Sequence, residues 1–212
     1  MADYKKPDFW QQKARNEGYP ARSVYKLMEI DKKFSLFKPC FEKANGLRAL
    51  DLGAAPGSWS LYVLRKFINK GFLCSADLSP LSREFDKGLF DNGNFFFIQG
   101  DITTEEVRGA LYAKGPYSVI ISDAAPGTTG NHIVDAARSC ELAETVMTYA
   151  ENILANGGNL ALKIFQGGGS GSVLKRMKSL FTTAKSFKPQ ACRGESVETY
   201  FVGLGKKQLS TF

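Results

Sequence analysis

Three aspartates accompany three consecutive apolar runs of the chain, and their spacing suggests a binding site. Asp51 lies within LRALDL, Asp77 follows GFLCSA, and Asp101 follows NFFFIQG. If these runs are parallel strands, Asp77 and Asp101 lie at the sheet edge where α/β proteins bind ligands. Asp77 can there accept from the hydroxyls of a ribose, and Asp101 from an exocyclic amine such as that of adenine. An aspartate after a strand is more often a turn or cap residue, but the series outlines a nucleoside pocket.

The turn after the first run, DLGAAPGS, argues against a phosphate ligand. It lacks the G-x-G-x-x-G spacing of dinucleotide folds, and no G-K-[ST] follows as a phosphate loop requires. Gly53 and Gly57 allow the backbone to approach a ligand closely, and the following helix offers amide donors. A nucleoside that carries no phosphate at its other end, such as S-adenosylmethionine, fits this pattern.

A lysine and a further aspartate follow at the next two apolar runs. Asp123 ends YSVIISD, and Lys163 lies inside NLALKIF. A lysine in an apolar strand is costly to bury unless it is paired or its pKa is depressed. A structural salt bridge is one interpretation of Lys163, and a general base is the other.

These residues require a parallel sheet to bring them together. Apolar runs alternate with helix-patterned segments, which is typical of a sheet with helices on both faces. The strand candidates are 47–52, 71–78, 94–101, 117–123 and 159–165, and the helix candidates are 57–69, 82–91, 103–113, 133–155 and 170–182.

Two further strand candidates, 184–189 and 198–205, follow without a helix between them. Because so short a connection cannot make a parallel crossover, we expect the last strand to run antiparallel. We expect one domain over 1–212, with a basic helical segment over about 1–45.

The charge distribution predicts an anionic partner. The net charge is +7, and residues 1–48 carry eleven basic against six acidic side chains, residues 163–212 nine against two. The middle of the chain is acidic, so the two ends are the candidates for binding nucleic acid. The candidate phosphate contacts are Lys5, Lys6, Lys13, Arg15, Arg22, Lys175, Arg176, Lys178, Lys185, Lys188 and Arg193.

Other residue types exclude several classes of protein. No apolar run is long enough to span a bilayer, and the N-terminus lacks a signal-peptide pattern, so we expect a cytoplasmic protein without membrane attachment. The four cysteines are scattered singly and are expected to be free, partly buried thiols. The lone histidine, His132, excludes multi-histidine metal catalysis, and no metal site is predicted.

Five motifs, in order, resemble the FtsJ-type (RrmJ-type) ribosomal RNA 2′-O-ribose methyltransferases. They are KPDFWQQKARNEGYPARSVYKLMEI, LDLGAAPGSWSLYV, DAAPG, LALKIFQG and SVETYFVG, and they span about 7–205. The resemblance implies a Rossmann-like methyltransferase fold that uses S-adenosylmethionine. It implies a catalytic tetrad at Lys26, Asp123, Lys163 and Glu198, and cofactor contacts at Gly57, Trp59, Asp77, Asp101 and Asp123.

The resemblance also implies the reaction and the partner. We expect methylation of a ribose 2′-hydroxyl in RNA, namely a uridine of large-subunit ribosomal RNA, either free or in the assembled subunit. DNA is not expected because it lacks the acceptor hydroxyl. Within the tetrad, Lys163 is expected to accept the proton.

Three alternatives remain open from the sequence. The acceptor can be another RNA, such as transfer RNA. A non-catalytic RNA-binding protein can retain this fold, although the complete tetrad argues against it. A nicotinamide-dependent oxidoreductase would share the sheet and bind a dinucleotide instead.

Overall fold

One mixed sheet organises the part of the chain that the computed structural model describes, residues 8–38, 46–67, 70–194 and 196–208. Its strand order is β3-β2-β1-β4-β5-β7-β6, and only β7 runs antiparallel to its neighbours. The strands are β1 (Leu47–Leu52), β2 (Gly71–Asp77), β3 (Phe95–Gln99), β4 (Tyr117–Ser122), β5 (Leu154–Phe165), β6 (Phe181–Phe187) and β7 (Glu198–Lys206). The predicted seven-stranded, mostly parallel sheet is confirmed.

Helices cover both faces of this sheet, as predicted. They are α1 (Phe9–Asn16), α2 (Ser23–Phe34), α3 (Ser58–Phe67), α4 (Glu105–Ala113), α5 (His132–Ile153) and α6 (Ser170–Leu180). The first three helices share one buried apolar cluster with the sheet, and the last three share another. Adjacent strand residues such as Ala49 and Leu50 belong to opposite clusters, because side chains alternate between the faces of a strand.

The basic N-terminal helices are fixed to the start of α3. The indole of Trp59 donates to the carbonyl of Ser23 at 2.8 Å. The hydroxyl of Ser58 accepts from the amide of Ala21 at 2.8 Å and donates to its carbonyl at 3.1 Å. These bonds hold the first turn of α2 beside the carboxyl end of β1. Part of the predicted segment, with Lys5, Lys6 and Cys40, lies outside the described residues.

The predicted helix over 82–91 is wrong. Only a short 3-10 helix forms there, at Leu89–Asp91. Lys87 and Gly88 adopt left-handed backbone angles, with φ of 50° and 78°, and these interrupt an α-helix.

Two strands begin earlier than the sequence pattern predicts. β5 starts at Leu154 because this residue already pairs with Tyr117, ahead of a register irregularity. β6 starts at Phe181, which pairs with Lys206 at the far end of β7.

Three of the four cysteines and the single histidine lie in the described ranges. Cys74, Cys140 and Cys192 are free thiols, as expected, and His132 is exposed at the start of α5. None of the helices in these ranges has both the length and the apolarity to cross a membrane.

The close contact between Gly203 and Phe181 yields a stability prediction. A Cβ on Gly203 would lie 2.6 Å from the buried ring of Phe181, so we expect Gly203→Ala to lower the free energy of unfolding by about 1–3 kcal/mol. Gly109→Ala on α4 is the control, because its Cβ meets nothing within 4 Å. That change should raise stability by about 0.5–1 kcal/mol. Urea unfolding measures both, and unchanged stability of Gly203→Ala would contradict the packing argument.

Candidate functional site

The carboxyl ends of the parallel strands and the start of β7 meet at one edge of the sheet. Asp77 ends β2, and Asp123 directly follows β4. Glu198 starts β7 opposite Phe165, the last residue of β5, because these two strands are antiparallel. Strand direction therefore brings together acidic residues that lie far apart in the chain.

Lys163 and Asp123 form one ion pair at this edge. The Nζ of Lys163 lies 3.1 Å from Oδ1 of Asp123 and donates to the Asp123 carbonyl oxygen at 2.9 Å. Only 9% of the Lys163 side chain and 15% of the Asp123 side chain are exposed. The pairing satisfies a lysine that would otherwise be costly to bury in a strand.

Lys26 and Glu198 form a second ion pair. The Lys26 Nζ lies 2.9 Å from each carboxylate oxygen of Glu198, and both side chains are nearly buried. Lys26 comes from α2, whose position depends on the bond of Trp59 to its first residue and on the bonds of Ser58 to the turn before it.

Tyr200 connects the two pairs, and sequence reasoning assigned it no role. Its hydroxyl donates to Oδ1 of Asp123 at 2.5 Å, and its ring lies 5.9 Å from the Lys26 Nζ. Tyr200 is opposite Lys163 in the sheet. Strand alternation could have found it, since Glu198 and Tyr200 are two residues apart and share a face.

The electrostatics of this cluster keep Asp123 ionised. Burial raises the pKa of Asp123, but Lys163, Lys26 and the Tyr200 hydroxyl outweigh it and leave that pKa below its usual value. Burial lowers the pKa of Lys26, but Asp123 and Glu198 outweigh this effect and leave it raised. Lys26 is therefore a fixed positive charge beside an ionised carboxylate.

The turn after β1 adopts a conformation that requires glycine. Gly53 and Gly57 have φ of 77° and 108°. A Cβ on Gly53 would lie 2.5 Å from the Cα of Ala124, and one on Gly57 would lie 2.9 Å from the ring of Phe90. The Asp77 carboxylate accepts from the amide of Ala55, within the turn, at 2.9 Å. The turn and the end of β2 thus form one hydrogen-bonded unit.

Asp101 and Trp59 have local contacts besides their predicted contact with a cofactor. Asp101 accepts from the amide and hydroxyl of Thr103, both at 2.8 Å, just before α4. The Trp59 indole is 2% exposed, and its ring packs on Tyr200 with centroids 5.9 Å apart. Their roles toward a cofactor stay predictions.

A family model for the FtsJ-like methyltransferases matches residues 19–206. The chain belongs to the FtsJ-like methyltransferase family. It is 48% identical to ribosomal RNA large subunit methyltransferase E of Treponema denticola, over 96% of this chain and 97% of that protein. It is 44% identical to the protein of the same name from Oleidesulfovibrio alaskensis, over 94% and 92% of the two chains. This membership excludes the oxidoreductase alternative.

Solved structures confirm the Rossmann-like methyltransferase fold. A Plasmodium falciparum protein described as a ribosomal RNA methyltransferase superposes with a TM-score of 0.71 at 26% identity, covering 89% of this chain and 98% of that one. Human methyltransferase-like protein 13, in complex with SAH, has a TM-score of 0.58 at 17% identity, covering 88% and 85%. At that identity the second likeness shows the fold alone.

Asp51, one of the three aspartates singled out in the sequence of this FtsJ-like methyltransferase, has an environment that the sequence did not predict. It lies in the central strand β1 with no exposed surface. Ser60 donates to its Oδ2 at 2.7 Å, but its Oδ1 is buried without a hydrogen-bond partner. Burial raises the pKa of Asp51 to about 7, and the charges of Asp123 and Asp77 act in the same direction. An aspartate inside an apolar strand was the available signal.

The predicted phosphate contacts of this FtsJ-like methyltransferase differ in their partners. The Arg22 guanidinium pairs with Asp8 and donates to the carbonyl of Ala191. Arg176 pairs with Glu144 and Glu151. Both arginines therefore hold elements together, which makes them weaker candidates for phosphate than lysines without such pairs. Within the described ranges, no group of three potential metal ligands occurs.

The buried Asp51 carboxyl predicts an unusual dependence of stability on pH. Its pKa is higher in the folded protein than in the unfolded chain, so the folded state binds more protons and loses stability as pH rises from about 4 to about 7. We expect Asp51→Asn to remove this dependence. The free energy of unfolding of the variant, relative to that of wild type, should therefore rise by about 2–3 kcal/mol from pH 5 to pH 8.

Urea unfolding at the two pH values measures the gain. Asp31→Asn is the control, because Asp31 is also nearly buried but its carboxylate accepts from Tyr62 and Lys66. An equal pH slope in wild type and Asp51→Asn would contradict the assignment.

Proposed function

We propose that this protein transfers a methyl group from S-adenosylmethionine to a ribose 2′-hydroxyl of large-subunit ribosomal RNA, at a uridine. The observation that carries the proposal is the contact of one lysine amine, Lys163, with both the carboxylate and the carbonyl oxygen of Asp123. The names of the bacterial relatives support ribosomal RNA as the substrate class.

The residues at the edge of β1 to β3 fit S-adenosylmethionine. The glycine turn contains no lysine or arginine for a phosphate, and the carboxylates of Asp77 and Asp101 are partly exposed beside it. Each carboxylate has acceptor capacity beyond its backbone partners, for ribose hydroxyls at Asp77 and an adenine amine at Asp101. Gly53, Gly57 and Trp59 form the turn and the first helical residues that would hold the cofactor.

The second half of the site would hold the acceptor nucleotide. S-adenosylmethionine supplies a methyl group on a positively charged sulfur, so the 2′-oxygen must attack in line and lose its proton. The oxygen would bond to the methyl carbon as the carbon–sulfur bond breaks, and Nζ of Lys163 would accept its proton. Asp123 orients that amine and Glu198 orients Lys26.

The geometry at Lys163 suits a base. A neutral amine has two N–H groups, and Nζ has two acceptors in Asp123, its carbonyl oxygen and Oδ1. When both hydrogens are donated there, the lone pair is left for the 2′-hydroxyl proton. Lys26 keeps its charge because its pKa is raised, and it contributes a positive field at the reacting oxygen.

The acceptor is RNA, either free or in the assembled subunit, and not DNA, because only RNA carries the 2′-hydroxyl. We further propose that the chain acts as one domain in the cytoplasm, with its N-terminal helices contributing both Lys26 and basic side chains that contact the RNA.

Replacing Lys163 tests the base. We expect Lys163→Met to lower the rate of methyl transfer to ribosomal particles by about a hundredfold to ten thousandfold, while S-adenosylmethionine affinity changes little. Tritium incorporation with nucleotide mapping measures the first, and titration calorimetry the second. Lys206→Met is the control, because Lys206 is also buried, yet it donates to backbone carbonyls at the opposite end of β7.

Two results would contradict the proposal. If Lys163→Met incorporates as much tritium into RNA as wild type does, Lys163 is not the base. A wild-type protein that binds RNA but labels none would favour the non-catalytic RNA-binding protein instead.

Tyr200 provides a test of positioning. Tyr200→Phe keeps the ring against Trp59 but removes the hydroxyl that donates to Asp123. We expect kcat to fall about tenfold or more with little change in KM, because a bond to a charged acceptor is lost. Tyr149→Phe, which loses a buried bond to the carbonyl of Ile102, should alter stability but not kcat. If Tyr200→Phe and wild type have the same kcat, the Tyr200 hydroxyl does not position Asp123 for the reaction.

A further inference from the structure

A groove with aromatic and basic walls lies beside α2, at the end of β6. It has a volume of about 500 Å³ and is bounded by α1, α2, the last residue of β6 and the segment that follows it. We call it the N-terminal groove, and it is lined by Trp10, Tyr25, Met28, Glu29, Lys32, Lys33, Phe187 and Gln190. Neither the proposed cofactor contacts nor the tetrad includes any of these residues.

Two of the three aromatic rings that line the N-terminal groove are partly open to solvent. Trp10 packs on Tyr25 with centroids 5.1 Å apart, and Trp10 and Phe187 both keep exposed surface. Phe9, whose ring meets the edge of Trp10, is 70% exposed. Such rings offer flat apolar surfaces to a ligand with aromatic faces of its own.

The charge of the N-terminal groove is positive. The Lys33 ammonium lies 4.3 Å from the centroid of the Phe187 ring, and Lys32 is the other lysine of the lining. Glu29 is the acidic residue of the lining, and its carboxylate already accepts from the amides of Gln190 and Ala191 at 2.7 and 2.9 Å. The ammonium groups of Lys32 and Lys33 therefore favour an anionic occupant.

The N-terminal groove is adjacent to the proposed acceptor side of the site. Tyr25, in its wall, directly precedes Lys26 in α2. Ala191, bound by Glu29, also accepts from Arg22 at the start of the same helix. A strand of RNA whose ribose lies at Lys26 and Lys163 would have neighbouring nucleotides within reach of the groove.

We propose that the N-terminal groove binds an unpaired nucleotide of the same RNA that carries the methylated ribose. Its base stacks on Trp10 and Phe187, and its phosphate contacts Lys32 and Lys33. The base must be unpaired, because the faces of bases within a duplex are already stacked and inaccessible to side chains. This inference rests on the proposed function, and it concerns recognition rather than chemistry.

Binding of fluorescein-labelled decauridylate, followed by anisotropy, tests the stacking. We expect Trp10→Leu and Phe187→Leu each to raise the Kd about tenfold, the loss typical of one stacked base, while Kd for a blunt RNA duplex changes little. Phe96→Leu is the matched control, because Phe96 also lies under a lysine, Lys114 at 4.6 Å, but on β3. Thermal unfolding checks that each variant is folded.

Tryptophan fluorescence gives a second readout on the unmodified protein. The chain has two tryptophans, and Trp59 is 2% exposed. Unlabelled decauridylate should therefore quench the emission of Trp10, and Trp10→Leu should abolish the quenching.

The charge contribution is tested separately. We expect Lys32→Ala with Lys33→Ala to weaken binding and to make its dependence on salt shallower. The control is the double variant Lys70→Ala and Lys114→Ala, which removes the same charge from the amino ends of β2 and β4. It should leave the salt dependence of binding unchanged.

The outcomes separate this inference from the proposed function. If wild type methylates ribosomal RNA but the groove variants and wild type have the same Kd for decauridylate, the inference is wrong and the proposed function stands. Equal losses for the duplex and the single strand would refute stacking. Decaglutamate displacing decauridylate at equal concentration would point to an acidic protein partner and overturn the inference. If wild type methylates no RNA, the proposed function fails, whatever the binding result.

Discussion

The ion pair of Lys163 with Asp123 constrains the arrangement of the whole sheet edge. A lysine inside a strand is tolerated only when a carboxylate meets it, and here the carboxylate comes from the end of the neighbouring strand β4. Tyr200, opposite Lys163 on β7, donates to the same carboxylate. Three strands are thereby held in register by one buried cluster of polar groups, which is stable only while each member keeps its partner.

The second pair depends on an element outside the sheet. Lys26 reaches Glu198 only because α2 is fixed to the start of α3 by Trp59 and Ser58. The same two side chains begin the helix that follows the glycine turn. The turn, the N-terminal helices and the proposed acceptor side of the site are therefore connected by direct contacts, so a change at Trp59 would affect all three.

The two halves of the edge differ in their chemistry, and this difference matches the two ligands of the proposed reaction. The part formed by β1 to β3 contains carboxylates with backbone partners and the buried acid Asp51. The part formed by β4, β5 and β7, together with α2, contains Lys26 and Lys163, each beside a carboxylate. Beyond it, the N-terminal groove adds ring surfaces and further ammonium groups, which suit a polyanion with bases.

The sequence by itself determined the fold class, most strand positions and the edge on which Asp77, Asp123, Lys163 and Glu198 lie. Apolar runs and their spacing are local properties, and the carboxyl ends of parallel strands meet at one edge whatever the side chains do. The tetrad itself came from a resemblance to a family rather than from periodicity. The false helix over 82–91 shows the limit of local patterns, because the left-handed backbone at Lys87 leaves no apolar signature.

Only the tertiary structure decided which partners these residues have. The bond from Tyr200 to Asp123, the pairing of Lys26 with Glu198 and the orphaned oxygen of Asp51 join or isolate groups that are distant in the chain. Such contacts depend on strand register and helix docking to within a fraction of an ångström. A hydrogen bond or a desolvated charge is sensitive to that distance, whereas a hydrophobic pattern is not.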